Sequence, residues 1–221
     1  MGRVLNIFHK RCFLNAHFEK KILNFIRLQM HSDAAHDIKH ILRVVKTAKQ
    51  LSVTENACTS VVVASAYLHD CVCLAKDHPQ RAKSSLMAAD KALLFLAQID
   101  YPEKYFPAIH HAITAHSFSA KVTPKTLEAK ILQDADRLDA LGAIGISRCL
   151  QVGNTLNRDL YSLEDAFCKA RKANDMRYTL DHFYSKLLRL ENSFNCKSAR
   201  QEAQKRTLFM HQFLQQLETE I

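Results

Sequence analysis

A chain of 221 residues with 48% hydrophobic positions suffices for one domain with a full core. Its net charge of +9 favours anionic small molecules, because no long run of basic residues and no aromatic–basic interleaving supports a nucleic-acid polymer as partner. Seven cysteines without a Cys-x-x-Cys pair, no apolar stretch of membrane-spanning length and a first segment broken by His9, Lys10 and Arg11 lead us to expect a reduced, cytoplasmic protein without leader or anchor.

Four glycines and four prolines are few turn formers for this length, so long helices are expected rather than many short strands. In residues 1–30, Ile7, Phe13, Phe18, Ile22, Phe25 and Ile26 fall at helical spacing among basic residues, which predicts an N-terminal helix packed on the body. Ser32 or Asp33 can cap the next helix, whose apolar face is Ile38, Ile41, Leu42, Val45, Ala48 and Leu51. His36 and His40, four apart, project from one side near its start, and Arg43 follows one turn later, where it can meet a carboxylate or a phosphate.

Thr54-Glu55-Asn56 is read as the opening of a second helix. From Val61 to Leu68 that helix is apolar nearly all round, so it belongs inside the protein, and it ends on His69-Asp70. A carboxylate there is costly unless it is paired or binds a metal. Imidazole and carboxylate together suit a divalent ion such as Mn, Fe, Co, Ni or Zn.

Farther on, Arg81 to Leu96 is amphipathic, with Leu86, Ala89, Leu93 and Leu96 inward. Tyr101-Pro102-Glu103 starts a helix carrying His110, His111 and His116; the last two converge only if His116 sits at a frayed end. Leu127, Ile131, Ala135, Leu138 and Ile144 mark one long buried helix. On it Asp136 and Asp139 share a face and Asp134 points elsewhere, while Arg137 is placed to neutralise one of them or to reach substrate. Gly142 and Gly145 lower helix propensity, which suggests close approach of another helix. Residues 154–175 read as a polar excursion over the site. A helix through Tyr178, Leu180, Phe183, Leu187 and Leu188 follows, with His182 and Lys186 on its polar stripe, and an amphipathic helix from Ala203 to Leu217 closes the chain.

The order His40, then His69-Asp70, then a distant Asp136 resembles that of the HD-domain metal-dependent phosphohydrolases. The similarity includes His36 to Val44, Ala66 to Asp70, Asp77 to Arg81, Ala115 to Ser119 and His182 to Leu188, and is most specific from Lys130 to Gly145. It runs from about His31 to near the C-terminus. The resemblance implies an all-α HD-domain helical bundle with a metal site in a central cleft. Residues 1–221 are then a single domain, 1–30 being a helix packed on it and 176–221 its C-terminal helices.

The same resemblance implies His40, His69, Asp70 and Asp136 as metal ligands, with His36 orienting a ligand or capping its helix. His111, His116 and Asp139 are implied as catalytic groups, and Arg43, Lys76, His78, Arg137, His182 and Lys186 as substrate-binding groups. Asp77 stands where relatives more often carry Asn. The cofactor is a divalent ion, Mn2+ foremost, with Mg2+, Co2+, Ni2+, Fe2+ and Zn2+ as alternatives. The bacterial single-domain branch implies hydrolysis of (d)NTP to (d)NMP and pyrophosphate. Alternatives are a phosphomonoesterase, a two-iron oxygenase of the same fold, or a non-catalytic helical protein that binds nucleic acid or a partner. The partner expected is a small phosphorylated molecule, a nucleotide first; no membrane is involved, and a homodimer is left open.

Overall fold

The valines of α3 (Thr59–Leu68) would not favour a helix on propensity alone, yet every residue from Ser60 to Leu68 is buried and the segment is helical. Around it are packed α1 (Ala16–Gln29), α2 (Ile38–Thr54), α4 (Ser84–Gln98), α5 (Phe106–His116) and α6 (Leu127–Leu138). The chain continues through α7 (Gly142–Thr155), the short α8 (Asp181–Ser185) and α9 (Lys197–Glu218). The structure is a computed structural model and describes residues 15–29, 37–74 and 78–221. Among these residues the only strand-like pairing is an isolated bridge between Asp159 and Tyr178, so the molecule is an all-α bundle. Ile7, Phe13, Ser32, Asp33, His36, Lys76 and Asp77, named above, lie outside the described residues.

Local sequence sets the helix starts. The Asp37 carboxylate caps α2 by accepting the backbone N–H of His40 at 2.8 Å, and the Thr126 hydroxyl caps α6 through Ala129 at 3.2 Å. Helix α1 is held by the burial of Ile22 and Ile26. Its Glu19 pairs with Lys49 of α2 and accepts from the Tyr67 hydroxyl of α3 at 2.8 Å.

Several expected boundaries move. Thr54-Glu55-Asn56 ends α2 instead of opening α3, which starts after Cys58; Asn56 takes φ +56°, a left-handed conformation that stops a helix. The long helix expected through Ile144 is two helices, α6 and α7, broken at Asp139–Leu141. Gly142 restarts the chain at φ +70°, where L residues are strained, and a Cβ there would lie 3.2 Å from Arg206 Cγ of α9. That is the helix approach expected of the glycine pair. Gly145, however, is needed for the turn just before it, since its Cβ would meet the Ala140 carbonyl oxygen at 2.2 Å. Leu86 and Ile144, read as inward, are 41% and 39% exposed: Leu86 lies in the first turn of α4, at the edge of the face that buries Ala89 and Leu96, and the break at Asp139–Leu141 resets the phase of α7. The helix expected from Tyr178 to Leu188 is only α8 followed by a 3-10 stretch, Leu187–Ser193.

Candidate metal centre

Three helix ends meet at one place. Helices α3 and α5 stop at His69 and His116, and each ring turns back so that Nδ1 donates to a carbonyl in the last turn of its own helix. His69 donates to Ala66 at 2.8 Å and His116 to Ile113 at 2.6 Å. These carbonyls are among those a helix end leaves without a partner. His40, one turn into α2, is oriented differently: its Nδ1 donates to the Asp139 carboxylate at 2.7 Å. In its neutral form each of the three rings therefore leaves Nε2 as the nitrogen with a lone pair to offer.

Those Nε2 atoms converge on two carboxylates. His40 lies 3.4 Å from Asp136 Oδ1 and 3.9 Å from Asp70 Oδ2; His69 lies 3.4 Å from Asp70 Oδ2 and 3.9 Å from Asp136 Oδ1; His116 lies 3.5 Å from Asp70 Oδ1. Two overlapping groups able to hold an ion result, His40–His69–Asp136 and His69–Asp70–His116. His69 Nε2 is fully buried and has no hydrogen-bond partner. A buried orphan nitrogen aimed between two carboxylates costs free energy in a bare protein and is relieved by a cation. The nitrogen–oxygen donor set fits a first-row divalent ion.

The electrostatics of the cluster are set by burial acting against carboxylate–imidazole pairing. Burial would raise Asp136, but His40 and the other imidazoles hold its carboxyl far below the usual range. Burial opposes the imidazolium of His40, yet bonds to Asp136 and Asp139 raise it to about 9. Burial likewise opposes charge on His116, and Asp70 overcomes it, whereas burial dominates at His69 and lowers it. Asp139 is itself anchored: burial would raise its carboxyl, but His40 and Arg43 hold it down. Arg43 donates to it at 2.7 and 3.0 Å and Arg148 at 2.7 Å.

A cleft of about 350 Å³ opens over the cluster, lined among others by His40, Asp70, His116, Asp136, Arg81, Arg148 and Lys186. A smaller cavity of about 140 Å³ adjoins it, lined in part by Arg148, Arg158, His182 and Lys186.

The expected site residues thus fall into groups. His40, His69, Asp70 and Asp136 come together. His116, expected to face substrate, stands within the same cluster. Asp139 touches His40 instead of the cleft centre, and Arg43 is spent on Asp139. Lys186 lines both cavities, and His182, bonded through Nδ1 to Asp175 at 2.7 Å, lines the smaller. Three residues go elsewhere. Arg137 donates to the Ser193 carbonyl, His111 accepts the Lys125 backbone N–H at 2.9 Å through Nε2, and the exposed His78 accepts from Gln80 at 3.1 Å. None of the three lines either cavity. Arg148, Arg81 and Arg158 were not anticipated. Arg148 had a signal in the sequence: it is the one charge in the otherwise uncharged Gly142–Thr155 segment.

Fold and cluster define an HD-type hydrolase, and comparison with known proteins agrees. Residues 37–141 match the HD domain. The Bacillus subtilis protein YpgQ is 31% identical over 192 residues, 85% of each chain. The crystal structure of YpgQ in complex with ADP superposes with a TM-score of 0.71 at 29% identity, covering 92% of this chain and 94% of that one. An HD-superfamily hydrolase from Bacillus thuringiensis gives 0.72 at 32% identity, covering 92% and 96%. The chain belongs to the HD-domain family and is a metal-dependent phosphohydrolase of that family related to YpgQ. No helix among the described residues is long and apolar enough to cross a membrane.

Proposed function

We propose that the chain hydrolyses nucleoside triphosphates to the monophosphate and pyrophosphate, with a divalent ion, manganese first, held by His40, His69, Asp70 and Asp136. The observation that carries this reading is the surplus of positive charge around the ligand cluster. Arg81, Arg148 and Lys186 line the same cleft, more cationic groups than a single phosphoryl group needs. A triphosphate, with about four negative charges, is favoured in such a field. The related YpgQ was solved with ADP, a ligand of the same chemical kind.

A bound divalent ion supplies Lewis acidity toward a phosphoryl oxygen and lowers the proton affinity of water. The chain's own groups supply the rest. His40 and His69 present Nε2 in orientations fixed by Asp139 and the Ala66 carbonyl. Arg43 and Arg148 fix Asp139 in turn, so the His40 ring cannot rotate without breaking charged bonds.

Product analysis tests the reading. With a dNTP in ¹⁸O water, dNMP and pyrophosphate form in equal amounts and the label enters dNMP. Release of orthophosphate with dNDP, or of nucleoside with tripolyphosphate, overturns it.

A further inference from the structure

We propose that the smaller cavity is a subsite for the leaving oligophosphate of the substrate, with Arg158 and Lys186 as its anion-binding residues. The inference rests on the pyrophosphohydrolase reading above and adds a direction to it.

Arg148 and Lys186 line both cavities, so the two lie side by side. Their linings differ in kind. Beside the candidate ligands and Arg81, the cleft offers hydroxyls and an apolar rim: Ser84, Ser117, Ser119 and Phe118, a residue that is 86% exposed. The smaller cavity offers four basic side chains over an apolar floor that includes Val152 and Leu187, and no carboxylate lines it.

Two of those four basic groups already have a carboxylate partner. Arg148 pairs with Asp139 at 2.7 Å, and His182 with Asp175 at 2.7 Å. Arg158 and Lys186 have no carboxylate within ion-pair distance among the described residues. Arg158 reaches only the Met176 sulfur, at 3.9 Å, a weak acceptor, and Asp175 feels its field from farther away. Two cations without an ion-pair partner among the described residues, beside an apolar floor, suit an anion, and charge-assisted bonds to phosphate oxygens are strong there.

The cavity is built rather than incidental. Gly153 lets the returning segment lie against α7, since a Cβ there would meet Thr179 Oγ1 at 2.2 Å. Thr179 and Leu180 then donate to the carbonyls of Asp159 and Leu160 at 2.8 and 2.9 Å, and Arg158 N–H donates to Gly153 at 3.0 Å. The buried Asp181 accepts from Arg171 at 2.6 and 2.8 Å and from the Asn174 N–H at 2.6 Å, which clamps the far end of the segment. Arg158 is therefore held at both flanks.

The nucleoside then lies toward Phe118, the α-phosphate at the metal cluster and the β,γ-phosphates against Arg158 and Lys186. Water forms the new bond to the α-phosphorus, and its proton passes to solvent. The bond from the α-phosphorus to the bridging oxygen breaks, and its electron pair leaves on pyrophosphate.

The test uses metal-loaded full-length protein and two substrates, dTTP and the p-nitrophenyl ester of dTMP. The second keeps nucleoside and α-phosphate but has no phosphate tail. In Arg158→Gln, and separately in Lys186→Gln, the ratio of kcat/KM for dTTP to that for the ester should fall about tenfold or more. The dissociation constant of inorganic pyrophosphate, measured by calorimetry, should rise by a similar factor, and Arg158→Lys should recover part of both. A ratio unchanged in both variants, or pyrophosphate affinity unchanged, overturns the subsite while leaving the products of dTTP hydrolysis as they are. Orthophosphate as the product instead overturns the broader reading, and the pyrophosphate titration then still decides whether Arg158 and Lys186 bind an anion.

Discussion

Asp134 and Asp136 stand two residues apart on α6, yet they face opposite worlds. Asp134 is fully buried, and both its oxygens are taken: the backbone N–H groups of Asn195 and Cys196 donate at 2.8–3.1 Å, and the Asn195 side-chain amide at 2.8 Å. These donors sit at the entry to α9, where a negative charge is also favoured by the helix dipole. Among the described residues the Asp136 carboxylate faces imidazole Nε2 atoms, that of His40 at 3.4 Å and that of His69, which has no hydrogen-bond partner, at 3.9 Å. A carboxylate whose lone pairs are all used holds the fold together; one that converges with a buried nitrogen lacking a partner, as at His69, is suited to share a cation with it.

The comparison breaks most directly by exchange of the two roles. His69→Ala and Asp136→Ala should each lose nearly all bound metal, read by elemental analysis, and fall to background hydrolysis. Asp134→Asn should keep its metal stoichiometry and instead lose about 1–3 kcal/mol of stability in a urea melt, because an amide cannot accept every one of those N–H groups. Equal metal loss in Asp134→Asn would end the distinction.

Asp139 lies between the two kinds, since it orients a ligand without meeting the ion. Asp139→Asn is expected to weaken metal binding about 10–100-fold in a manganese titration, with the fold intact. An unchanged affinity would mean that the His40 ring needs no such support.

Asp181 belongs with Asp134. Burial would raise its carboxyl, but Arg171 and the Asn174 N–H hold it below the usual range. A depressed folded-state value stabilises the protein above the unfolded value of about 4 and loses that contribution as pH falls through the folded one. Melting temperatures should therefore drop on acidification below about pH 4, and Asp181→Asn should be less stable at neutral pH with a shallower acid dependence. A parallel pair of pH curves would remove Asp181 from the structural group.

The smallest effect separates two histidines. His116→Ala should lower metal occupancy, because its Nε2 is 3.5 Å from Asp70. His111→Ala should leave metal content intact and change turnover by no more than a few fold, since its ring only accepts the Lys125 N–H.

Much of this was legible in the chain because helical phase carries it. His69-Asp70 closes a segment too apolar to be outside, and Asp136 shares a face with Asp139 at a three-residue step. The same rule, applied strictly, also disposes of Arg137. It stands three residues after Asp134, on the face turned to Ser193–Cys196, so its guanidinium goes there and not to the cleft. What stayed hidden depends on tertiary closure. Arg158 reaches the second cavity only because Gly153 admits Thr179, and Asp175 meets His182 only because the Arg171–Asp181 pair folds the segment back. No periodicity records such approaches, since residues 156–180 carry none. The break at Asp139–Leu141 was hidden for a related reason: the apolar pattern passes through it, and only the positive φ of Gly142 marks it.

The anchoring of the three imidazoles through Nδ1 has a thermodynamic consequence. Two of them lean on carbonyls of their own helices and the third on a carboxylate held by two arginines, so none needs an ion to find its orientation. Cation uptake then freezes little rotamer freedom, and the entropy of arranging the receptor is settled when the helices pack. Small zinc modules behave in the opposite way, with metal and fold arriving together. Here chelation should leave a helical chain whose circular dichroism matches that of the loaded protein, with reloading as a bimolecular capture and no refolding step behind it.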